Sequence, residues 1–197
     1  MRELLIATAN EMKLEEIKHG IEDIPFTLLT LKDVGLETLL IEEPGNTYEG
    51  NAIIKAFVFG KRSGKLTLAD DAGIEVDALD GAPGVRSDRY APTSEERNKK
   101  LLAALANVPD EKRTARFRVV LAIYDPETDK IRVCEGVLEG KVVREPRGER
   151  RFGYNPIFYI PEIGKTYAEL TVEEKNRISH RGKALAKARD ILVAEFA

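Results

Sequence analysis

The sequence predicts an α/β protein built on a mixed β-sheet, and three observations support that prediction. In the first third of the chain, short apolar runs alternate with amphipathic helix patterns, as they do where helices connect the strands of a sheet. Two β-rich segments follow in the middle, joined by the turn DPETD, which predicts an antiparallel pair. The C-terminal region returns to a helical pattern, with Ala184, Leu185 and Ala188 on one face.

The first elements follow one another in a definite order. Residues 3–8 form a predicted buried strand, and Asn10 stands where the N-cap of the next helix belongs. A second helix is predicted over 49–62 and a strand over 65–70, so the chain opens with an alternating α/β region.

The later helices are marked by their start signals. A capping box from Thr93 to Glu96 opens one helix, and a second capping box from Thr171 to Glu174 opens the helical C-terminal region. No internal repeat, low-complexity tract or Gly/Ser linker interrupts the 197 residues, which favours a single domain of two lobes with a cleft between them.

The composition argues against several classes of protein. A net charge of −3 is not typical of a protein whose whole surface follows a nucleic acid. No stretch approaches the roughly 18 apolar residues of a membrane span, and the N-terminal apolar run is too short for a signal peptide. With only Cys134 and two histidines, the chain can form neither an internal disulfide nor a structural zinc site. We therefore expect a cytoplasmic protein, with oxygen ligands for any metal that it uses.

The segment TANEMK at 8–13 is the first candidate site. It joins a strand to a helix N-terminus and brings the Thr8 hydroxyl, the Asn10 amide and the Lys13 ammonium group to an end with partial positive charge, which suits phosphate oxygens. An ordinary helix cap followed by a surface lysine has the same pattern. The segment is not a Walker loop, because GxxxxGK[ST] is absent.

A pair of carboxylates is the second candidate. Asp70 and Asp71 stand at the expected C-terminal end of a strand, where α/β proteins place ligands. Because side chains alternate along a strand, we expect only one of the two to face the ligand. A carboxylate beside a phosphate substrate predicts Mg²⁺ and can also orient the attacking water. A turn with Asp at a favoured position is the competing interpretation.

A second acidic pair and the helix after it form the third candidate. Glu42 and Glu43 precede a Pro-Gly turn and could complete a magnesium shell opposite Asp71. Asn51 and Lys55 on the following helix could reach a phosphate. Solvated surface charge is the usual explanation for such residues.

Two further segments could bind a nucleotide. The loop 144–158 places four arginines before Phe152, whose ring offers a base a stacking surface, and guanidinium groups suit phosphate. Residues 173–185 add Lys175, His180 and Arg181 where one helix ends and another begins. A solvated charged loop and a structural histidine are the competing interpretations.

Together and in this order, these segments resemble the inosine/xanthosine triphosphate pyrophosphatase family, a Ham1-like group of nucleotide hydrolases. The resemblance covers almost the whole chain and rests on TANEMK, EEPGNTYEGNAIIKA, ADDAGIEVDALDGAPGVRSDRYA, FGYNPIF and AELTVEEKNRISHRGKAL. It implies an elongated mixed sheet flanked by helices in two lobes with a central cleft, and a homodimer. It also implies Mg²⁺-dependent hydrolysis of ITP, dITP or XTP to the monophosphate and pyrophosphate, without a nucleic-acid or membrane partner.

The same resemblance implies roles for individual residues. Asp71 would be the catalytic carboxylate and a magnesium ligand, with Glu42 or Glu43 assisting the metal. Phe152 would stack on the base. The other residues implied to bind substrate are Thr8, Ala9, Asn10, Glu11, Met12, Lys13, Asn51, Lys55, Ala72, Gly153, Tyr154, Asn155, Lys175, His180 and Arg181.

Three positions depart from the family pattern. Ala9 stands where glycine is common, Ala72 where serine or threonine is frequent, and Asn155 where aspartate is frequent. The alanine at 72 removes a hydroxyl beside Asp71. Asparagine at 155 keeps an acceptor for a purine N1–H but adds a donor.

Two other functions are weighed against this one. An aspartate-nucleophile phosphatase would phosphorylate Asp70 or Asp71, although DDAG lacks the DxD spacing that such enzymes use. A module that binds single-stranded RNA or DNA would use the loop from Arg147 to Phe152.

Overall fold

The computed structural model describes residues 1–42, 45–149 and 152–197. No helix within these ranges is both long and apolar enough to cross a membrane. The strands and α-helices of the described residues are, in chain order, β1 (Arg2–Ile6), α1 (Glu11–Gly20), β2 (Phe26–Thr30), α2 (Tyr48–Ser63), β3 (Leu66–Val76), α3 (Ser94–Ala104), β4 (Thr114–Asp125), β5 (Lys130–Val142), β6 (Phe158–Ile160), β7 (Lys165–Thr166), α4 (Val172–Ile178) and α5 (His180–Phe196).

The strands form one mixed sheet, as predicted. Its order is β2-β1-β3-β4-β5-β6-β7. β1 runs parallel to β2 and to β3, whereas β6 is antiparallel to β5 and to β7. β4 and β5 are neighbours joined by residues 126–129, a connection too short for a parallel crossover, so they form the expected antiparallel pair.

The predicted helix starts are confirmed, but two predicted strand ends are wrong. β1 ends at Ile6, two residues before the predicted end at Thr8. Asn10 caps α1, and capping boxes open α3 at Thr93 and α4 at Thr171. β3 does not end at Asp70: it continues to Val76. Both aspartates therefore lie inside the strand, because the apolar alternation resumes beyond them and the turn-forming Gly and Pro residues come only after residue 80.

The chain forms two compact units that share the long strands. Unit 1 comprises Met1–Asp71, Val119–Gly136 and His180–Ala197, and unit 2 comprises Ala72–Arg118 and Val137–Ser179. β3, β4 and β5 contribute residues to both units. The cleft expected between two lobes stays a prediction.

In unit 1, helices cover both faces of the sheet. Gly60 of α2 lies against the Thr67 side chain of β3. Asp70, which points to the opposite face of the same strand, contacts Lys13 of α1 and Arg181 of α5. α1 and α5 also pack against each other. The part of β3 that lies in unit 1 is therefore buried on both faces.

In unit 2, the sheet has one apolar face and one charged face. Phe117 of β4 packs in an apolar core with Ile74 of β3 and residues of α3 and β6. On the other face, Arg116 of β4 pairs with Glu75 and Glu139 on the two neighbouring strands. One face of this part of the sheet therefore carries a network of ion pairs between neighbouring strands.

The sequence of β4 reflects both environments. From Thr114 to Arg118, half-buried and buried residues alternate, whereas every residue from Val119 to Asp125 is buried. Alternation is typical of a strand with one covered face, and a continuous buried run is typical of a strand covered on both. The change falls where the chain passes from unit 2 into unit 1.

Candidate functional site

The strand order of unit 1 changes direction at β1. The chain passes from β1 to β2 on one side and then returns to β3 on the other side of β1. In α/β sheets, ligands bind beyond the carboxyl ends of the strands at such a point. Ile6 is in register with Leu68, so the turn at 8–10 and Asp70 lie side by side at this end of the sheet. The first two candidate segments are therefore brought together.

The turn between β1 and α1 is held by side-chain hydrogen bonds. The Asn10 Oδ1 atom accepts from the Lys13 backbone N–H at 3.2 Å, and the Asn10 N–H donates to Thr8 Oγ1 at 3.2 Å. Ala9, Glu11 and Met12 are exposed. The N-terminus of α1, with its partial positive charge, is therefore accessible to an anion.

Asp70 is a buried carboxylate between two cations. Its Oδ2 atom lies 3.2 Å from Lys13 Nζ and 3.2 Å from Arg181 Nη2, and Arg181 also pairs with Glu16 of α1. Burial alone would raise the pKa of Asp70, but the charges of Lys13 and Arg181 outweigh it and hold the pKa well below its ordinary value. Asp70 is therefore an anion at neutral pH that holds two cationic side chains in place.

Asp71 has a different set of partners, supplied by α2. Asn51 Nδ2 donates to Asp71 Oδ2 at 2.9 Å, and Lys55 Nζ lies 3.6 Å from Asp71 Oδ1. Asn51 and Lys55 are four residues apart and share one face of α2. Gly45 leaves room for this arrangement, because a Cβ there would collide with Asn51 Oδ1. Asn51 and Lys55, both predicted to reach a phosphate, thus contact Asp71.

The oxygen atoms at Asp71 and Asn51 suit a magnesium ion whose remaining ligands come from a phosphate substrate and water. Among the described residues, no three His, Cys, Asp or Glu side chains are grouped to hold a metal by themselves. Mg²⁺ often needs only one or two carboxylates when phosphates and water complete its shell. Asn51 Oδ1 is buried beside Asp71, and no residue in the described part of the chain donates a hydrogen bond to it. Glu42 is exposed, and Glu43 lies outside the described residues.

His180 and Arg181 occupy the first turn of α5, and both are buried. Gly136 of β5 permits this close packing, because a Cβ there would overlap the His180 carbonyl oxygen. Burial, assisted by the charge of Arg181, lowers the pKa of His180 well below its ordinary value. The imidazole is therefore neutral at pH 7, with one donor and one acceptor.

The predicted base-binding segment lies in unit 2. Phe152 is 40% exposed, so part of this aromatic side chain is accessible to a ligand. Tyr154 is buried, and its hydroxyl donates to the Ser87 carbonyl at 2.8 Å, which commits that side chain to the core. Asn155 is half-buried, and its carbonyl accepts from the Ala168 N–H at 3.1 Å. Arginines 150 and 151 lie outside the described residues.

The predicted site residues are divided between the two units. Lys175 in unit 2 places its Nζ 4.9 Å from the centroid of the Tyr167 ring. Unit 1 holds Thr8, Ala9, Asn10, Glu11, Met12, Lys13, Glu42, Asn51, Lys55, Asp71, His180 and Arg181, and unit 2 holds Ala72, Phe152, Gly153, Tyr154, Asn155 and Lys175.

Comparison with known proteins identifies the family. Residues 4–191 match the Ham1 family. The chain belongs to the Ham1 family. A relative from Desulforamulus reducens named dITP/XTP pyrophosphatase is 47% identical over 192 residues, which cover 96% of this chain and 94% of the relative. A Bacillus subtilis relative of the same name is 44% identical over 197 residues and 98% of each chain.

Solved structures of Ham1 proteins have the same fold. A HAM1 protein from Coxiella burnetii matches with a TM-score of 0.89 and 43% identity over 98% of each chain. The Staphylococcus aureus Ham1 protein matches with a TM-score of 0.87 and 36% identity over 97% of this chain and 98% of that one. The family resemblance and the α/β fold predicted from the sequence are thus confirmed.

Sequence reasoning missed several residues that shape this Ham1 site. Glu16 pairs with Arg181, and its position three residues after Lys13 on the same face of α1 was the available signal. Gly45 makes space for Asn51 without any local signal. Asn98, on the buried side of α3, donates to the Gly153 carbonyl in the segment predicted to bind the base.

Proposed function

We propose that this chain is a nucleoside triphosphate pyrophosphatase that removes non-standard purine nucleotides, ITP, dITP and XTP, from the nucleotide pool. It hydrolyses them to the monophosphate and pyrophosphate. The observation that carries the proposal is the near-full-length similarity to curated relatives named dITP/XTP pyrophosphatase. A homodimeric state and a cytoplasmic location are part of the proposal, and sedimentation at a mass of two chains would support the first.

The phosphate chain is bound by cations and by the α1 N-terminus. Lys13 and Lys55 keep 14% and 13% of their side chains exposed, which leaves their ammonium groups within reach of a ligand. Asp70 holds Lys13 and Arg181 in position before substrate arrives, so little reorganisation accompanies binding. Glu16, the second partner of Arg181, keeps that guanidinium from turning away.

Asp71 orients the attacking water and accepts its proton. Asn51 Nδ2 donates to Asp71 Oδ2 and so helps to fix the orientation of the carboxylate. A carboxylate oxygen can accept a hydrogen bond and then a proton from a water molecule. The water oxygen forms a bond to the α-phosphorus, the bridging α–β P–O bond breaks, and pyrophosphate leaves. The proton passes from the water to Asp71.

Mg²⁺ is the proposed cofactor. Asp71 and Asn51 Oδ1 would hold it together with Glu42 or Glu43. When bound there, the ion would supply positive charge that neutralises the phosphate oxygens.

Phe152 stacks on the purine base, and the oxo edge of the base gives selectivity. Hypoxanthine and xanthine present a 6-oxo acceptor and an N1–H donor where adenine presents the reverse. ATP would therefore leave buried groups unpaired, at a cost of roughly 1–3 kcal/mol for each group.

A panel of nucleoside triphosphates with pyrophosphate detection tests the proposal, with and without Mg²⁺. We expect turnover of ITP, dITP and XTP at roughly 10-fold or more above ATP, from the cost of unpaired groups. Asp71→Asn should lower kcat at least about 100-fold, the usual size of a lost general base. Asp80→Asn is the matched control, because Asp80 is exposed and its left-handed φ of 52° suits asparagine.

Water labelled with heavy oxygen identifies the attacked phosphorus. Label in the monophosphate is expected, whereas label in orthophosphate would refute attack at the α-phosphorus. Release of orthophosphate from monophosphates would instead support the aspartate-nucleophile phosphatase. Salt-dependent binding of oligonucleotides without hydrolysis would support the nucleic-acid module.

A further inference from the structure

Two side chains of α3 hold both polar backbone groups of Gly153. The Ser94 Oγ atom accepts a hydrogen bond from the Gly153 N–H at 3.2 Å, and Asn98 Nδ2 donates to the Gly153 carbonyl at 3.1 Å. Ser94 and Asn98 are four residues apart, so they project from one face of the helix. We call this pair of contacts the Gly153 clamp.

The clamp holds a backbone conformation that few residues adopt. Gly153 has a φ of 56°, in the left-handed region, and it directly follows Phe152. A chain with glycine at this position has many alternative conformations, since glycine adopts positive and negative φ with similar ease. Hydrogen bonds to both the N–H and the carbonyl select one of them.

Asparagine at position 98 stabilises the fold less than an apolar residue such as leucine would. It is only 7% exposed and lies on the same side of α3 as the fully buried Leu101. An asparagine in a helix interior has a lower helix propensity than leucine, and a leucine would bury more apolar surface. The Asn98 Oδ1 atom is buried without a donor among the described residues, which adds a further cost. The amide therefore serves the Gly153 carbonyl at the expense of core packing.

The elements on either side of the clamp are rigid. A capping box between Thr93 and Glu96 orders the first turn of α3, which carries Ser94. The next residue after Gly153 is anchored too, because the Tyr154 hydroxyl donates to the Ser87 carbonyl. The exposed ring of Phe152 thus projects from a backbone whose direction is set by the residues that follow it.

We propose that Ser94 and Asn98 are positioning residues for recognition of the purine base. By holding Gly153, they set the orientation of the Phe152 ring, on which the base stacks. The inference rests on the proposed function, because only there does Phe152 carry the base. The two side chains act through the backbone of 152–153 and leave the phosphate chemistry at Asp71 unchanged.

The test uses Ser94→Ala, Asn98→Asp and Ser94→Thr. Asn98→Asp keeps the shape of the side chain but removes the donor to the Gly153 carbonyl, and Ser94→Thr keeps the hydroxyl. Stacking of one base is worth roughly 1–3 kcal/mol, or about 5- to 150-fold in affinity, so we expect KM for ITP to rise about 5-fold or more. The value of kcat should stay within about 2-fold, because the loss is in uniform binding. Ser94→Thr should restore KM.

A purely structural role gives a different pattern. Partial unfolding would lower kcat by reducing the active fraction and would leave KM unchanged, and that result overturns the inference. Lys99→Ala is the control, because Lys99 is an exposed residue of the same helix that pairs with Glu95. If Asn98→Asp does not fold, Ser94→Ala and its threonine rescue decide the question.

A second measurement follows the ring itself without any substrate. The chain contains no tryptophan, so Phe152→Trp introduces a single tryptophan at the ring, and its emission can be excited selectively over that of the six tyrosines. Adding Ser94→Ala to that protein should lower its fluorescence anisotropy, and an unchanged anisotropy contradicts the clamp. A wild-type protein that hydrolyses no purine triphosphate refutes the proposed function, whereas an active wild type with an unchanged KM in both variants refutes only the positioning role.

Discussion

Asp70 and Asp71 are adjacent residues with different partners on opposite faces of the same strand. Because neighbouring side chains point to opposite faces of β3, Asp70 meets the cations of α1 and α5, whereas Asp71 meets Asn51 and Lys55 of α2. Asp70 therefore serves as the counter-charge of two cations, whereas Asp71 is held by one amide and one lysine.

Asn51 should influence the ionisation of Asp71. Replacing its amide by a second carboxylate in Asn51→Asp removes the hydrogen bond to Asp71 Oδ2 and places like charges together. Like charges disfavour ionisation, so the acid limb of the pH–rate profile should move to higher pH, and kcat at pH 7 should fall about 10-fold or more. The measurement is the pH dependence of kcat for ITP, from about pH 5 to about pH 10.

The control for that variant is Asn107→Asp, which makes the same change at an exposed position. Its pH profile should match that of the wild type. An Asn51→Asp enzyme with an unshifted acid limb would show that Asn51 does not influence the ionisation of Asp71.

At the scale of elements, β5 and α5 approach so closely that no side chain fits between them at Gly136. A Cβ there would overlap the His180 carbonyl and crowd the Ala184 N–H, and both are backbone atoms that cannot move without shifting the helix. Gly136→Ala should therefore lower the free energy of unfolding by about 3 kcal/mol or more, at the upper end of overpacking costs. Urea denaturation followed by circular dichroism measures the change.

Gly20→Ala is the matched comparison, because it packs against the same helix. Its Cβ would meet the flexible side chain of Leu185 instead of backbone, and alanine also has the better helix propensity. Its stability should stay within about 1 kcal/mol of the wild type, since side-chain repacking costs less than a backbone shift. Equal losses in the two variants would contradict this distinction between backbone and side-chain contacts.

Elements with local signals could be predicted from the sequence, and those set by distant contacts could not. Caps such as Asn10 and Thr93 bond within their own first turn, so a short stretch of sequence contains the whole interaction. The length of β3 depends on pairing along the sheet, and the Gly/Pro-rich stretch after it led to a premature strand end. The contact of Asn98 with Gly153 joins residues 55 positions apart, which no local pattern reveals.

Local signals and distant contacts also differ in what they reveal about the candidate site. The sequence names Asp71, Lys13 and Lys55 as candidates from their places at a predicted strand end or on a predicted helix, and the family resemblance gives them roles. It does not predict which candidates pair with one another, because a pair such as Asp70 and Arg181 joins β3 to the C-terminal helix. Residue type and motif thus predict which groups take part, whereas the fold decides which of them neutralise one another.

For the molecule as a whole, buried ion pairs make stability depend on pH. The pKa of Asp70 is low because Lys13 and Arg181 outweigh the effect of burial, and the pKa of Asp125 is lowered against burial by Arg2. A carboxyl group whose pKa is lower in the folded protein stabilises the fold above its unfolded value. That stabilisation is lost as the pH falls through the folded value, so acid should weaken the fold from about pH 4 downward.

Asp70→Asn isolates the largest of these contributions. At pH 7 the substitution leaves Lys13 and Arg181 without their shared counter-charge, and the free energy of unfolding should fall by about 3 kcal/mol, as for a broken buried pair. Between pH 7 and about pH 4 the difference from the wild type should stay constant, because Asp70 is ionised in both the folded and the unfolded wild type. Below about pH 4 the difference should narrow, since the unfolded wild type gains a proton that the folded protein does not bind. Urea denaturation at several pH values measures this difference in the free energy of unfolding. Asp23→Asn is the control, because it removes an exposed partner of Arg189. A difference that stays constant down to about pH 3 would show that the low pKa of Asp70 does not contribute to the stability of the fold.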